Sequence, residues 1–343
     1  MATSPFDALI AGAGPAGCAA AITLARLGRR VALLNRAPSH AGWRIGETFG
    51  GEIRPLIERL GAAAEFASVP RLAFRAVRSA WGSAEAFERP TMLHPYGEGW
   101  HVDRAAFDDA LKRVAGAAGV VLSPGDGTRP VRDAGSGWTA GGVVARYLID
   151  ASGRGGPALP GRRWIPNDRM IALAHRLPAR AAGGELLIEA VETGWWYSAP
   201  QPDGGLVAAW MTDPELARAP AYERWRDALA LAPHTSARVG SPPDDPPCAF
   251  RAETGRLEPS SSNEDRWVAC GDAAWAGDPL SGDGVARALR SGVAAAEAVH
   301  RALDGGVLEM DAEPAYRTFL ERQARFYAME TRWPESVFWS RRR

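Results

Sequence analysis

Residues 6–17 read FDALIAGAGPAG, and this stretch decides the fold. An apolar run leads directly into a glycine-rich turn, and Pro15 then opens a helix that ends at Gly28. A second apolar run, residues 31–34, follows after a short link. The pattern predicts a strand, a helix and a second strand, the unit from which parallel sheets with nucleotide sites are built.

The turn itself predicts a site for a pyrophosphate. Glycines let the backbone turn tightly and approach the anion, and the free N–H groups at the start of the helix favour negative charge. After the second strand, where an acidic residue usually binds a ribose, the chain has Asn35, which can bond a ribose hydroxyl more weakly. Arg36 and Arg44 are further candidates beside the nucleotide. The positions expected to contact the pyrophosphate are Gly12, Gly14, Pro15, Ala16 and Gly17.

A second glycine–aspartate element lies far downstream, with GDAA at residues 271–274 and PLSGDGV at residues 279–285. A nicotinamide enzyme does not need this element. A flavin does, because its ribitol hydroxyls favour a carboxylate acceptor and the electron-rich edge of its reduced ring favours a helix N-terminus. The two elements together predict FAD as the cofactor.

The composition is that of an ordinary globular protein of 343 residues, 46% hydrophobic and 23% charged. Its 40 basic and 40 acidic side chains leave no net field, so neither a nucleic-acid partner nor a membrane surface is expected. The start of the chain lacks the features of a signal peptide, and no apolar run approaches the roughly 20 residues of a membrane helix, so we expect a cytoplasmic protein. The three scattered cysteines predict neither a disulfide framework nor a metal site.

The order of elements predicts an α/β protein with a Rossmann-type FAD-binding lobe, an antiparallel β-sheet substrate lobe and C-terminal helices. We expect the FAD-binding domain to be discontinuous, built from residues 1–70, 101–165 and 255–305. Residues 71–100 and 166–254 form the expected substrate domain, in which short strands alternate with glycine- and proline-rich turns. The remaining residues, 306–343, form the expected helical tail, with its last arginines frayed.

Five segments resemble the flavoprotein group that includes FAD-dependent monooxygenases, flavin-dependent halogenases and geranylgeranyl reductases. The resemblance implies that Arg104 binds the FAD pyrophosphate, that Asp272 binds the ribitol and that residues 279–284 lie against the isoalloxazine. It also implies cofactor contacts from Gly282, Gly284 and Val285. The matching segments are residues 12–17, 46–47, 100–104, 150–153 and 271–285.

Three aromatic stretches resemble a narrower subgroup, the flavoprotein maturases of tryptophylquinone-dependent amine oxidases and dehydrogenases. These stretches are SAWGS at residues 79–83, PYGEGWH at residues 95–101 and GWWYSAP at residues 194–200. In that subgroup the target is a tryptophan in a partner protein. The resemblance therefore implies an electron-rich aromatic substrate, with free indole, a carrier-bound amino acid and a protein-borne tryptophan all open.

Hydroxylation, halogenation and hydride transfer each make a different demand on the sequence, and a scaffold that merely keeps the cofactor motifs is a fourth alternative. Halogenases of similar fold pass hypohalous acid to a lysine between flavin and substrate, and Lys112, which we expect on a solvated helix face, is the only lysine. Hydroxylation demands little from side chains, because the flavin carries the reactive oxygen while the protein excludes water. We therefore expect a monooxygenase, with NAD(P)H or a separate flavin reductase as the electron source.

The candidate groups at the reaction centre are Glu47 and His101 for proton transfer and Pro279 in the loop facing the ring. His175 is a further titratable candidate. Strand alternation places Trp195 and Tyr197 on the face opposite Trp196, so one set is expected in the core and the other along the cleft, with Trp210 and Met211 nearby.

Overall fold

The computed structural model describes residues 5–35, 45, 48–125, 129–133, 137–155, 162–178, 183–218 and 220–342. In chain order, the strands of the first part are β1 Phe6–Ala11, β2 Val31–Asn35, β3 Thr48–Phe49, β4 Arg71–Phe74, β5 Ala76–Ala80, β6 Phe87–Pro90, β7 Gly99–Val102, β8 Val121–Pro124, β9 Val131–Asp133, β10 Gly137–Ala140 and β11 Val143–Asp150. The later strands are β12 Arg163–Asp168, β13 Ile171–Leu177, β14 Glu185–Val191, β15 Gly194–Pro200, β16 Leu206–Thr212, β17 Cys248–Arg251, β18 Thr254–Glu258, β19 Ser261–Ser262, β20 Trp267–Ala269 and β21 Trp275–Ala276. The helices are α1 Pro15–Arg26, α2 Arg54–Arg59, α3 Ala63–Ala67, α4 Arg104–Ala117, α5 Ala221–Ala230, α6 Pro233–Val239, α7 Gly284–Leu303, α8 Glu313–Ala328 and α9 Val337–Ser340.

The first sheet contains the strand–helix–strand unit predicted from residues 6–34. Its main path runs β19-β20-β11-β1-β2-β8, and the pairs from β20 to β8 are parallel. Ile10 of β1 lies between Ile149 and Leu33 of its neighbours. Helices α1, α4 and α7 bury one face of this sheet, so the Rossmann-type fold predicted from the sequence is confirmed.

The opposite face of the parallel sheet is covered by different elements. The small sheet β12-β18-β21 and helix α8 lie there, with Tyr316 and Phe319 of α8 packed against Trp275. Both faces of the central strands are therefore buried, as a parallel sheet requires.

The second large sheet has the order β17-β13-β16-β15-β14-β5-β6. Its pairs are antiparallel with one exception, because β5 joins β14 in parallel. A glycine-rich hairpin turn at residues 202–205 connects β15 and β16, and there Gln201 N–H donates to the Gly205 carbonyl at 2.7 Å. The lobe is therefore antiparallel as predicted, except where it takes in a strand from earlier in the chain.

A three-stranded sheet, β3-β7-β4, lies between residue 45 and helix α4. It pairs Thr48 with His101 and Phe49 with Trp100. Because β7 leads directly into α4, this sheet positions the helix start that carries Arg104.

Arg341 and Arg342 are not frayed, which corrects the sequence expectation for these two residues, and Arg343 lies outside the described residues. The Arg342 guanidinium is buried and donates to both carboxylate oxygens of Asp168, at 2.6 and 2.8 Å, and to Asp213 at 2.5 Å. Trp339 of α9 donates its indole N–H to the Val191 carbonyl at 2.9 Å. Two carboxylates and a buried indole therefore hold the end of the described chain against the second sheet.

Candidate functional site

The two glycine-rich elements meet, although about 250 residues of sequence separate them. A Cβ atom on Gly271 would lie 2.8 Å from the Cβ of Ala16, and one on Gly292 would lie 2.1 Å from the Ala16 carbonyl oxygen. The carboxyl ends of three strands converge below them, because Ala151 N–H donates to Ala11 and Cys270 N–H donates to Asp150. This edge of a parallel sheet is where such folds bind nucleotides.

Three glycines of the first turn differ in what surrounds them. Gly12 has φ +113°, and a Cβ there would lie 2.4 Å from the Ala151 carbonyl oxygen. A Cβ on Gly17 would lie only 1.8 Å from the Gly12 carbonyl oxygen. Gly14 has an ordinary extended backbone, and among the described residues no atom comes within 4 Å of its Cβ position. The fold itself therefore requires Gly12 and Gly17, whereas the space beside Gly14, the N-cap of α1, is open to a ligand.

Helix α1 begins at this turn, with Pro15 in its first position and Gly14 before it. No described side chain caps the helix start, so its amide groups remain available to an anion. Asn35 ends β2 one strand away and is half-buried. Arg36, Arg44 and Glu47 lie outside the described residues.

Arg104 is the first residue of α4, whose N-cap is Asp103, with its carboxylate accepting from Ala106 N–H at 3.0 Å. The Arg104 guanidinium is largely buried, donates to Asp108 at 3.3 Å and reaches the carbonyl of Ile45 at 3.5 Å. It therefore stands beside the chain segment that precedes β3.

Asp272 is partly exposed and lies between two arginines. Arg154 Nε donates to one carboxylate oxygen and Arg287 Nη2 to the other, both at 2.9 Å. Burial acts to raise the pKa of Asp272, but the two guanidinium groups outweigh it and hold that pKa below its ordinary value. The residue stays an anion that can still accept a ribitol hydroxyl through its remaining lone pairs.

The loop expected against the isoalloxazine begins with a short helical turn, Pro279–Ser281. Gly282 follows in the left-handed conformation at φ +66°, and Gly284 begins α7. Neither glycine has a described atom within 4 Å of its Cβ position, and Pro279 and Val285 are only half-buried. The loop thus presents open backbone at a helix N-terminus, which suits the N1/O2 edge of a reduced flavin.

His101 is fully buried in β7 and belongs to a hydrogen-bonded chain. Burial lowers its pKa to about 4, so the imidazole is neutral near pH 7. Because the Gly184 carbonyl 3.3 Å away can only accept, Nε2 carries the proton, and Nδ1 accepts from the Thr48 hydroxyl at 2.9 Å. The Tyr197 hydroxyl then donates to Thr48 at 2.9 Å. The imidazole fixes residues 48 and 197, and a role in proton transfer stays a prediction.

The aromatic strand β15 does not divide into a core face and a cleft face. Trp196 is buried against Trp210 and Trp225, beneath helices α5 and α6. Trp195 is buried on the opposite face, in the cluster that also contains Met211, and is covered by the C-terminal helices. Helices cover both faces, so the expectation that one tryptophan lines the cleft is wrong. Of the three aromatic residues, half-buried Tyr197 is the one that reaches the Thr48 side.

Two other candidates lie away from the glycine-rich elements. His175 packs against Trp225 under α5, and burial lowers its pKa. The Lys112 ammonium is bound to Asp109 on the same helix at 2.8 Å, about 12 Å along α4 from Arg104. Neither side chain contacts Asp272 or the loop at residues 279–284 in the described residues.

Sequence reasoning missed Arg154, Arg287 and Asp278. Arg154 directly follows the recognised segment at residues 150–153, and Arg287 lies one helical turn after Asp283, so both could have been examined as partners of Asp272. The bonds of Asp278 to Tyr327 and Gln323 gave no signal, because these two residues lie far along the chain on α8.

These features fit FAD: an open turn at Gly14, an uncapped helix start, an anionic Asp272 and an open loop before α7. The described residues contain no group of three or more His, Cys, Asp or Glu side chains arranged to bind a metal. Among them, none of the helices combines the length and the apolar character that a membrane crossing requires.

Comparison with known proteins agrees with this geometry. Residues 7–50 match the family described as an FAD binding domain. LodB of Marinomonas mediterranea, provisionally named an FAD-dependent oxidoreductase, is 28% identical and aligns with 98% of this chain and 96% of its own.

Two solved structures share the fold over 99% of this chain. The flavin-dependent halogenase CmlS has a TM-score of 0.81 at 24% identity, with 68% of its own chain covered. QhpG, a peptidyl tryptophan dihydroxylase essential for tryptophylquinone cofactor biogenesis, has a TM-score of 0.79 at 23% identity, with 79% of its chain covered. The resemblance to this flavoprotein group that the sequence motifs indicated is confirmed.

Proposed function

We propose that the chain, an FAD-dependent oxidoreductase, is a monooxygenase that hydroxylates an electron-rich aromatic, specifically a tryptophan carried by a peptide or partner protein. One atom of O₂ enters the indole and the other leaves as water, while NAD(P)H or a separate reductase supplies two electrons. The observation that favours hydroxylation over halogenation is Lys112. The only lysine of the chain is bound to Asp109 on α4, and no described contact joins it to the loop that we propose faces the flavin.

Different residues of the chain would hold different parts of the cofactor. Gly14, the start of α1 and Arg104 would hold the pyrophosphate, with Asn35, Arg36 and Arg44 as nucleotide contacts, and Asp272 would hold the ribitol. The loop of Pro279, Gly282 and Gly284 would lie against the isoalloxazine, with Val285 behind it. When bound and reduced, FAD supplies the electrons and activates oxygen. Glu47 and His101 remain the proposed proton-transfer groups.

The substrate class rests on likeness to a relative of known action. QhpG acts on tryptophan in a peptide, and 99% of this chain shares the fold of QhpG. Indole suits the reaction, because oxygen activated on a flavin is a mild electrophile that needs a nucleophilic carbon.

Mass spectrometry under ¹⁸O₂ tests the proposal, with reduced flavin and a tryptophan-containing peptide. Hydroxylation should add ¹⁸O to the peptide, whereas a dehydrogenase or reductase would change its mass only by hydrogens.

Halogenation is the second candidate, favoured by the TM-score of 0.81 to CmlS. Repeating the reaction with and without bromide or chloride separates the two. A halide-dependent mass gain without ¹⁸O would overturn the proposal of hydroxylation.

A further inference from the structure

Asp278 lies at the base of the loop that faces the proposed flavin position. Its side chain is 2% exposed, and its Oδ1 accepts from Leu280 N–H at 2.8 Å. Its own carbonyl accepts from Ser281 N–H at 3.1 Å. One residue therefore fixes the first turn of the loop through both its side chain and its main chain.

The same carboxylate is held from the other side by helix α8. The Tyr327 hydroxyl donates to Asp278 Oδ2 at 2.7 Å, and Gln323 Nε2 donates to the same oxygen at 3.2 Å. The indole of Trp195 donates in turn to the Tyr327 oxygen at 3.2 Å. Tyr327 is fully buried, so this chain of contacts runs from the second sheet through α8 to the loop without meeting solvent.

Asp168 of β12 and Arg342 after α9 are charged side chains that influence Asp278, and Arg342 is already bound to Asp168 and Asp213. The Arg154 guanidinium lies nearby, where it donates to the carbonyl of the adjacent Gly277 at 2.7 Å. Burial raises the pKa of Asp278 to about 6, against the opposing effect of its bonds from Leu280 and Tyr327. The carboxyl therefore changes charge near neutral pH, and its protonation weakens its hold on the Leu280 amide.

We propose that Asp278 and Tyr327 are positioning residues through which helix α8 sets the geometry of the loop at residues 279–284. The inference rests on the proposed placement of the isoalloxazine against this loop. It makes helix α8 a determinant of the flavin environment through the bonds of Tyr327 and Gln323 to Asp278 at the base of the loop.

The first test needs no cofactor. Hydrogen exchange of the amides of residues 280–284 is measured by mass spectrometry on FAD-free protein, comparing Tyr327→Phe with Tyr316→Phe. The control makes the same change on the same helix, at a ring that packs against Trp275 and Phe319. Losing one bond to the carboxylate should speed exchange about tenfold in Tyr327→Phe only. Equal exchange in the two variants would overturn the inference.

The second test follows the visible absorption spectrum of bound FAD against pH. Wild type and Tyr316→Phe should show an inflection near pH 6. It should move to higher pH in Tyr327→Phe, because that variant loses a donor that favours the charged carboxylate. It should vanish in Asp278→Asn, which does not titrate. If Asp278→Asn does not fold, the direction of the shift in Tyr327→Phe decides, and an unshifted inflection there contradicts the inference.

The two proposals fail separately. If labelled oxygen does not enter the peptide while the exchange and spectral differences are seen, the reaction is misassigned and the positioning role stands. If oxygen enters but Tyr327→Phe behaves like Tyr316→Phe in both tests, the positioning role is wrong and the reaction stands.

Discussion

The turn after β1 and the loop before α7 are both rich in glycine, yet different forces hold them. The first is fixed by its own backbone, because Gly12 and Gly17 pack too closely for any side chain. The second is open at Gly282 and Gly284 and is held from below by Asp278. The turn after β1 is thus an anchor that its own local sequence specifies. The shape of the loop before α7 depends instead on residues that are distant in the sequence.

Gly17→Ala should have the largest effect, because its Cβ would meet the Gly12 carbonyl oxygen inside the anchor. We expect a loss of about 3 kcal/mol or more in the free energy of unfolding, measured by denaturant titration without FAD. Gly116→Ala is the control, since it adds the same methyl group in α4 where no described atom lies within 4 Å. That control should be neutral or gain up to about 1 kcal/mol. Equal free energies of unfolding for the two variants would show that close backbone packing does not fix the turn after β1.

Gly14→Val distinguishes an effect on FAD binding from an effect on folding at the same turn. The side chain would enter the space proposed for the pyrophosphate, so FAD affinity should fall about 100-fold or more and the purified protein should lose its yellow colour. The FAD-free protein should lose no more than about 1 kcal/mol of stability, the cost of a poorer residue before the helix. A yellow variant with normal affinity would place the pyrophosphate elsewhere.

The free energy of unfolding, measured as a function of pH, tests the role of His101, whose imidazole bonds the Thr48 hydroxyl at the start of β3. Its pKa in the folded protein, about 4, lies below the ordinary 6.5. As the pH falls, the unfolded chain therefore takes up this proton before the folded protein does. The stabilisation is complete above pH 6.5 and is lost as pH falls towards 4, by up to about 3 kcal/mol. His101→Asn should flatten this slope, while His94→Asn, at an exposed imidazole, should not. An unchanged slope in His101→Asn would contradict the assignment.

Asp272→Ala tests whether the second element touches the cofactor. Losing a charge-assisted hydrogen bond should weaken FAD binding by about 1.5 to 3 kcal/mol, measured by fluorescence titration. Asp304→Ala removes an ion-paired carboxylate at the far end of α7 and should leave FAD affinity unchanged. If both variants bind FAD normally, Asp272 serves only Arg154 and Arg287.

Lys112→Met should have the smallest effect, since this side chain supports neither glycine element. We expect turnover with the peptide substrate to stay within about twofold of wild type, because an exposed ion pair contributes at most about 1 kcal/mol. Loss of turnover with FAD still bound would favour halogenation.

The elements that the sequence predicted are those specified by local pattern. Strands β1 and β2 follow from apolar runs and the start of helix α1 follows from Pro15, and the structure contains all three elements. The pairing of Asp272 with Arg154 and Arg287 depends on three separate segments, so no local pattern carried it. The site assignments themselves stay predictions until the variants are measured.

The failures have the same physical origin. Trp195 and Trp196 are both buried because helices from later in the chain cover both faces of β15, which alternation within one strand does not reveal. Arg342 is ordered because its buried guanidinium is bound to the carboxylates of Asp168 and Asp213. A terminal arginine in isolation is typical of a frayed end.

The contact of Gly271 with Ala16 also orders events during synthesis. The ribosome, at about 5 to 20 residues per second, needs roughly 10 to 50 s to go from the first element to the second. Until then β11 pairs with β1 and β10 but has no β20 beside it, so the edge of β11 at residues 148–150 stays open in the nascent chain. On the proposed placement of FAD, both glycine elements that would hold it are present only after residue 285 has emerged.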